Sequence, residues 1–372
     1  MKIGCPKEIK NNEYRVGLTP NAAEMYVKAG HQVYIETGAG KGSAIEDTDY
    51  EKAGCKILPA AAEVWNTADM IVKVKEPLEQ EYPLMREGQI LFTYFHFAAS
   101  EPLLKACLKQ KIISIAYETV EENGALPLLK PMSEVAGRMA MVMGAFYLGK
   151  PYGGRGVLAT GLTGVAPASV TILGGGVVGT NAAKMAAGMG ANVSLLDLNL
   201  ARLERLSEIL PPNVDGLFSD NVTLENALRN ADIVVGAVLI PGAKAPKLVR
   251  KEHLKIMKPG SVMVDVAIDQ GGCFETSRPT THSDPIYEVD GIIHYCVANM
   301  PGAYARSSTF ALNNATLKYG LELANKGAEK ACRENPALKS GLNTYKGVIT
   351  LKAVAEAFGM LDNYTPPEKF LS

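Results

Sequence analysis

Gly174-Gly175-Gly176-Val177-Val178-Gly179 follows directly on the apolar run Val170-Thr171-Ile172-Leu173 and opens an alanine-rich helical stretch. The spacing is G-x-G-x-x-G in a strand–turn–helix setting, the arrangement that receives the pyrophosphate of a dinucleotide. Gly174 suits the tight turn, Gly176 the approach of phosphate to backbone, and Gly179 the close packing of helix on strand. The free amides and the positive dipole end of that helix then face the phosphates. A glycine turn by itself is a weak signal. Asp197 strengthens it, because it ends the next apolar run, eighteen residues past Gly179. A carboxylate there accepts from the adenosine ribose hydroxyls and repels a 2′-phosphate, which favours NAD over NADP. Arg202 suits an adenine contact and a solvated helix charge equally well.

In open α/β sheets, ligands bind beyond the carboxyl ends of the strands. That rule selects Lys75 after Met70–Val74, His96 after Gln89–Phe95, Ser219 after Val214–Phe218, Asp269 after Val262–Ala267 and Asn299 after Ile292–Ala298. Arg15, behind Asn11-Asn12-Glu13-Tyr14, joins them by type. Oxidising a small amino or hydroxy acid calls for a fork-shaped cation and a second cation on the carboxylate, hence arginine and lysine. The proton that moves with the hydride calls for a group titrating near neutrality, hence histidine. Each residue has a structural alternative. His96 between Phe95 and Phe97 also reads as a hydrogen-bonded core histidine, Asp269 as a helix cap, Lys75 beside Glu76 as a surface pair, and Arg15 as a solvated loop charge.

The elements that must carry these residues alternate strand and helix. Strands are expected at Lys2–Cys5, Gln32–Glu36, Met70–Lys75, Gln89–Tyr94 and Ile112–Tyr117. Helices start at Thr19-Pro20, with Thr19 as cap and Gly30 as stop, and after Ser100. A helix from Ser133 to about Lys150 is long enough to link two domains. The alternation restarts with strands Val170–Leu173, Asn192–Leu196, Val214–Phe218, Asp232–Val238, Ser261–Ala267 and Ile292–Ala298. Between them lie helices Val177–Met189, Leu200–Leu210 and Leu224–Arg229, giving a doubly wound parallel set. Helix then follows from Ser307 to Gly327 and near Leu351–Phe358. At 372 residues two domains are expected, and the last sixty or so are too few for a third, so they return to the first.

A formal net charge of -1 leaves no global field to draw nucleic acid or an anionic membrane. The uncharged stretch Gly156–Ala183 is broken by glycines and Pro167, so it does not read as a membrane helix. The N-terminus places charge and Pro6 where a signal peptide would have its apolar run. The six cysteines are scattered, without zinc-like spacing, and read as buried thiols in a reducing, cytoplasmic compartment. No histidine or carboxylate cluster has ligand spacing, so no metal is expected.

Longer segments carry a resemblance. Pro6–Gly17 (PKEIKNNEYRVG), Lys73-Val74-Lys75-Glu76-Pro77, the Thr93–His96 region, Arg155–Leu158, Val264–Gly272 (VDVAIDQGG) and His294–Gly302 (HYCVANMPG) are together far more specific than the glycine fingerprint. Over essentially its whole length the chain resembles bacterial alanine dehydrogenases. The resemblance implies an NAD-dependent, reversible deamination of L-alanine to pyruvate and ammonia. It implies two Rossmann-like doubly wound domains with a cleft between them: a discontinuous substrate domain, 1–130 and 305–372, and an NAD-binding domain, 131–304. It further implies His96 and Asp269 as acid–base residues, with Arg15 and Lys75 on the substrate. Implied NAD contacts are Ser133, Val177, Val178, Asp197, Arg202, Ser219, Val238, Leu239, Ala267–Asp269 (with Ile268) and Val297–Met300 (with Ala298 and Asn299), alongside the fingerprint glycines Gly174, Gly176 and Gly179. A homohexamer is usual in such proteins. Phe95 and Phe97 flank His96 where smaller aliphatic residues are common, and Tyr304 replaces something smaller. Rival readings are the nucleotide-binding subunit of a proton-translocating transhydrogenase, a saccharopine or lysine-pathway dehydrogenase, and an NAD-binding protein without catalysis.

Overall fold

A computed structural model describes residues 1–238 and 245–371. In chain order its strands are β1 (Lys2–Cys5), β2 (Gln32–Glu36), β3 (Lys56–Leu58), β4 (Met70–Val72), β5 (Ile90–Thr93), β6 (Ile113–Ala116), β7 (Ser169–Leu173), β8 (Asn192–Asp197), β9 (Val214–Phe218), β10 (Ile233–Gly236), β11 (Val262–Asp265), β12 (Ile286–Val289), β13 (Ile292–Tyr295), β14 (Leu342–Tyr345) and β15 (Val348–Ile349). They divide into two compact units, Met1–Met132 with Gly302–Ser372, and Ser133–Pro301. The helix Lys130–Tyr147 carries the chain from one unit to the next.

The first unit holds a sheet ordered β15-β14-β6-β5-β4-β1-β2-β3. Strands β1 to β6 pair in parallel, while β14 runs antiparallel to β6 and β15 to β14. Every residue of β4, β5 and β6 is buried, as befits strands covered by helices on both faces. Trp65, Phe95, Phe97, Leu103 and Leu104 lie in one core cluster of this unit. Thr19 caps the helix Pro20–Lys28 by accepting the Ala22 N–H, and Gly30, at φ +86°, ends it. The long helix Ala305–Lys326 belongs here because its polar side chains complete the N-terminal loop. Thr309 accepts the Val16 N–H at 3.2 Å and Asn313 accepts the Thr19 N–H at 2.8 Å.

The second unit is a seven-stranded sheet ordered β12-β13-β11-β10-β7-β8-β9, parallel except for β12 against β13. Counted within each unit, the parallel strands follow the same 3-2-1-4-5-6 order, with reversal points between β1 and β4 and between β7 and β10. Side chains from β7, β8, β10, β11 and β13 fill the second core.

Several strands end sooner than the apolar runs suggest, for one recurring reason. β4 stops at Val72, because the Val74 N–H turns to the Glu8 carboxylate at 2.7 Å. β11 stops at Asp265, whose own side chain accepts the Ala267 N–H at 3.1 Å. The short strands β3, β12, β14 and β15 lie outside the expected set. All six cysteines are free and buried. Among the described residues no helix is long and apolar enough to cross a membrane.

Candidate active site

In the second unit, the glycine-rich turn leaves β7 at the reversal point. Gly174 sits at φ +100°, and a Cβ there would stand 2.9 Å from the Val238 side chain and 3.0 Å from the Ala237 carbonyl oxygen. A Cβ on Gly179 would fall 1.8 Å from the Gly174 carbonyl oxygen, so only glycine lets the helix Val177–Gly188 start this close to the strand. Around Gly176 a Cβ would meet nothing within 4 Å, and no side chain caps that helix. Uncapped amides over open space fit a dinucleotide pyrophosphate.

Asp197 ends β8 and is 7% exposed. Its carboxylate accepts the Gly175 N–H at 2.7 Å and the Asn199 N–H at 2.8 Å, and pairs with Arg202 at 3.0 Å. Burial works to raise this acid, but the two amides and Arg202 outweigh it and hold the carboxyl below its ordinary value. Arg202, its side chain about half exposed, is the ion-pair partner of Asp197. The Ser219 N–H donates to the Asp197 carbonyl at 3.1 Å, which sets the end of β9 beside the end of β8. Val178, Ala267, Ile268, Val297 and Met300 are buried. Val177 is exposed, and Ser133, Val238, Ala298 and Asn299 are half-buried. Asn299 adopts φ +59°. Leu239 lies outside the described residues.

Asp269 is exposed on the turn Val266–Gln270 beyond β11. The cap of that turn is Asp265, which is fully buried. One Asp265 oxygen accepts the Ala267 and Cys273 N–H groups, both at 3.1 Å; the other accepts from Phe274 at 3.3 Å and from the Ser277 hydroxyl. Burial raises its carboxyl, opposed by these donors and by Lys247. Lys247 Nζ donates to the carbonyls of Gly271, Gly272 and Phe274. The loop bearing Asp269 is thus wound around a buried anion and a cation.

In the first unit, the reversal point between β1 and β4 gathers charge. Arg15 is 2% exposed, which overturns its reading as a solvated loop residue. Glu13 takes the Nε and Nη2 side of its fork, with Nε–Oε1 at 2.7 Å, and Nη1 lies 2.9 Å from the Met132 sulfur. Burial disfavours the guanidinium charge, but Glu13 more than restores it. Lys75 is 9% exposed, and Glu76 pairs with Lys10 instead, so the surface-pair reading fails. Its carbonyl accepts the Thr93 hydroxyl at 3.0 Å and its N–H meets Glu8 at 3.4 Å. Behind it Lys73 bridges Glu8 at 3.3 Å and Glu81 at 2.8 Å, all three buried. Burial pushes the Glu8 carboxyl up to about 7; Lys73 opposes this, while Glu13 and Glu81 add to it. A pocket of about 430 Å³ opens beside Arg15, with Lys7, Glu8, Lys10, Glu13 and Lys41 on its walls.

His96 follows β5 and is exposed, whereas Phe95 and Phe97 on either side are buried and stack at 4.5 Å. The core-histidine reading therefore fails. Its backbone is left-handed, φ +48° and ψ +44°, a conformation that costs a non-glycine residue about 1–3 kcal/mol. The imidazole stacks on Tyr94 at 5.8 Å and 6°. Tyr94 is buried, its hydroxyl donating to the Leu128 carbonyl at 2.6 Å, and burial raises its phenol, with Arg15 pulling the other way. Arg15, Lys75, Tyr94 and His96 thus occupy the carboxyl-end loops of neighbouring strands. Sequence reasoning missed Glu8, Glu13, Glu118 and Asp265, whose carboxylates hold these loops and their side chains.

Family models cover nearly all of the chain: the N-terminal domain of alanine dehydrogenase/PNT matches residues 4–136 and its C-terminal domain residues 140–352. An alanine dehydrogenase of Methanococcus maripaludis is 58% identical over 374 aligned residues, with 100% of each chain covered. Alanine dehydrogenase 2 of Staphylococcus aureus is 55% identical over 97% of each chain. A solved L-alanine dehydrogenase superposes with a TM-score of 0.94 at 50% identity, covering 97% of this chain and 100% of that one. A transhydrogenase from Sinorhizobium meliloti reaches 0.81 at 26% identity, covering 94% of this chain and 100% of that one. With two domain models spanning it and relatives this similar end to end, the chain belongs to the alanine dehydrogenase/PNT family.

Proposed function

We propose that this protein is an NAD-dependent alanine dehydrogenase, converting L-alanine reversibly to pyruvate and ammonia. The observation that carries the reading is the buried Arg15 and Lys75 on the loops at the reversal point of the first sheet, with Tyr94 and His96 on the loop of the next strand. The greater likeness to L-alanine dehydrogenase than to the transhydrogenase favours this reading over the membrane-complex one. Residues 1–130 with 305–372 act as the substrate domain and 131–304 as the NAD domain. In the cell we place the protein in the cytoplasm, as a homohexamer.

Bound NAD supplies the acceptor for the hydride that leaves the alanine Cα. It would be held by the amides of Val177 and Val178 in the turn set by Gly174, Gly176 and Gly179, by Asp197 with Arg202, and by Ser133, Ser219, Val238, Leu239, Ala267–Asp269 and Val297–Met300. Arg15 and Lys75 hold the substrate carboxylate and carbonyl region. Glu13 fixes the plane of the guanidinium, so that its orientation is set before substrate arrives. His96 or Asp269 takes the proton from the water that adds to the iminium carbon, and a proton returns to the departing ammonia. In the reverse direction a protonated His96 donates to the pyruvate carbonyl oxygen as that oxygen gains charge.

The test is NADH formation, followed by absorbance, with L-alanine and NAD at alkaline pH, set against saccharopine. Alanine-dependent turnover without saccharopine turnover supports the reading. Absence of any alanine-dependent turnover overturns it.

A further inference from the structure

We infer that Glu118 is a positioning residue for His96: its carboxylate holds the backbone turn that presents the imidazole. The inference rests on His96 being the acid–base group and adds to that reading a second residue that acts through it. Glu118 stands on the turn Tyr117–Thr119, at the carboxyl end of β6, and β6 is the sheet neighbour of β5. From there it reaches across to the loop that β5 enters. Glu118 Oε1 accepts the His96 N–H at 2.6 Å, and both its oxygens lie 3.2 Å from the Phe95 nitrogen.

Two consecutive amides point at one acceptor only when the chain bends sharply between them. That bend lies at Phe95 and fixes the peptide that enters His96; the left-handed His96 backbone then turns the chain from this fixed peptide, a conformation that a residue with a large side chain avoids unless its surroundings enforce it. Carboxylate–amide bonds are charge-assisted and roughly twice as strong as neutral ones, so Glu118 has the means to enforce it. The other restraints act elsewhere. The His96 carbonyl accepts the Ala99 N–H at 2.8 Å, and the ring rests on Tyr94. Those contacts leave the Phe95 and His96 amides to Glu118. With its oxygens turned to backbone, Glu118 shapes the site without being placed as an acid or base in it.

Glu118→Gln keeps an acceptor oxygen at the same reach, whereas Glu118→Met keeps the length and accepts nothing. The Met variant is expected to lose about 10- to 100-fold in kcat, the scale of a misplaced catalytic group. Its KM values for L-alanine, pyruvate and NAD should stay within about twofold, because Arg15, Lys75 and the glycine-rich turn are untouched. The Gln variant should recover to within about threefold of the parent. In a His96→Ala background the same Met substitution should cost less than about twofold, since its effect runs through the missing imidazole. A Met variant with parental kcat, a Gln variant as poor as the Met one, or full additivity with His96→Ala would each overturn the inference. Should the Met variant not fold, amide hydrogen exchange on the parent decides: protection at Phe95 and His96 supports the clamp, and free exchange there removes it. Parental turnover in His96→Ala alone would overturn the underlying reading instead.

Discussion

Replacing Asp197 by Asn should change which dinucleotide the enzyme uses, and the structure fixes the scale. The carboxylate is shared among the Gly175 amide, the Asn199 amide and Arg202. Asn keeps one oxygen for an amide but removes the negative charge. Two unit charges about 5 Å apart at an effective dielectric near 20 repel by about 3 kcal/mol, or roughly 10²-fold. A 2′-phosphate, doubly charged, meets at least that penalty in the parent and is relieved of it in the variant. NAD loses one charge-assisted hydrogen bond of about 1.5–3 kcal/mol, so its KM should rise roughly 10- to 100-fold. Arg202, 3.0 Å from Asp197 in the parent, is released to meet the extra phosphate. Initial rates with saturating L-alanine give kcat/KM for NAD and for NADP, and their ratio should move toward NADP by at least about 10². Adding Arg202→Ala should cancel most of the gain. An unchanged ratio in Asp197→Asn would refute the argument, because the charge at the end of β8 would then not be what rejects the phosphate.

His96→Ala should lower kcat at least about 10²-fold while leaving NAD affinity unchanged, measured by steady-state rates and by NADH fluorescence. Gly179→Ala places a methyl 1.8 Å from the Gly174 carbonyl oxygen, a backbone atom that cannot rotate away. A loss of about 3 kcal/mol or more is expected in urea unfolding, together with weakened NAD binding. Glu8 is an acid whose folded value is raised, so folding favours its protonated form. Its stabilisation is complete below the ordinary 4.5 and declines as pH rises toward the folded value of about 7. Relative to the parent, Glu8→Gln should therefore grow more stable as pH rises from about 5 to about 7, by up to about 3 kcal/mol. A pH-independent difference in urea midpoints would count against it.

What was legible in the sequence follows from what leaves a local trace. The glycine fingerprint needs its residues within a single turn, so its spacing is written contiguously, and the Gly174 and Gly179 contacts explain each position. Lys75, His96, Asp269 and Asn299 stand out in the sequence because a polar residue closing an apolar run marks a strand end. Glu118 obeys the same rule, since it closes Ile112–Tyr117, but a glutamate at that place suggests no obvious chemistry. Asp265 had a different signal: an acid inside the run Val262–Ala267 must find buried partners. Its partners lie up to twelve residues on, at Ser277, and no spacing announces them. Glu8 meets Val74 across 66 residues, which only the pairing of β1 with β4 brings about. The short strands β3 and β12 are not readable because three or four residues, all of them exposed or half-buried, carry too little alternation.

Four loops at strand ends share one construction. Where a strand leaves its sheet, the neighbouring carbonyls run out and backbone N–H groups lose their acceptors. Water would satisfy them and leave the loop mobile. Here Glu8 takes Val74 and Lys75, Glu118 takes Phe95 and His96, Asp197 takes Gly175 and Asn199, and Asp265 takes Ala267, Cys273 and Phe274. Each carboxyl group accepts two or more amides, so it replaces a missing strand rather than a single bond. Each such loop, or the strand end beside it, carries a group to which the proposed function gives a role: Lys75, His96, the glycine-rich turn, Asp269. An acid that accepts amides bends the chain sharply and holds it there, which a sheet ladder cannot do because it keeps the chain straight. On the proposed function, the acting groups are held in place by carboxyl groups that accept backbone amides, and the distribution of those acids, together with that of the cations they serve, gives the site its shape.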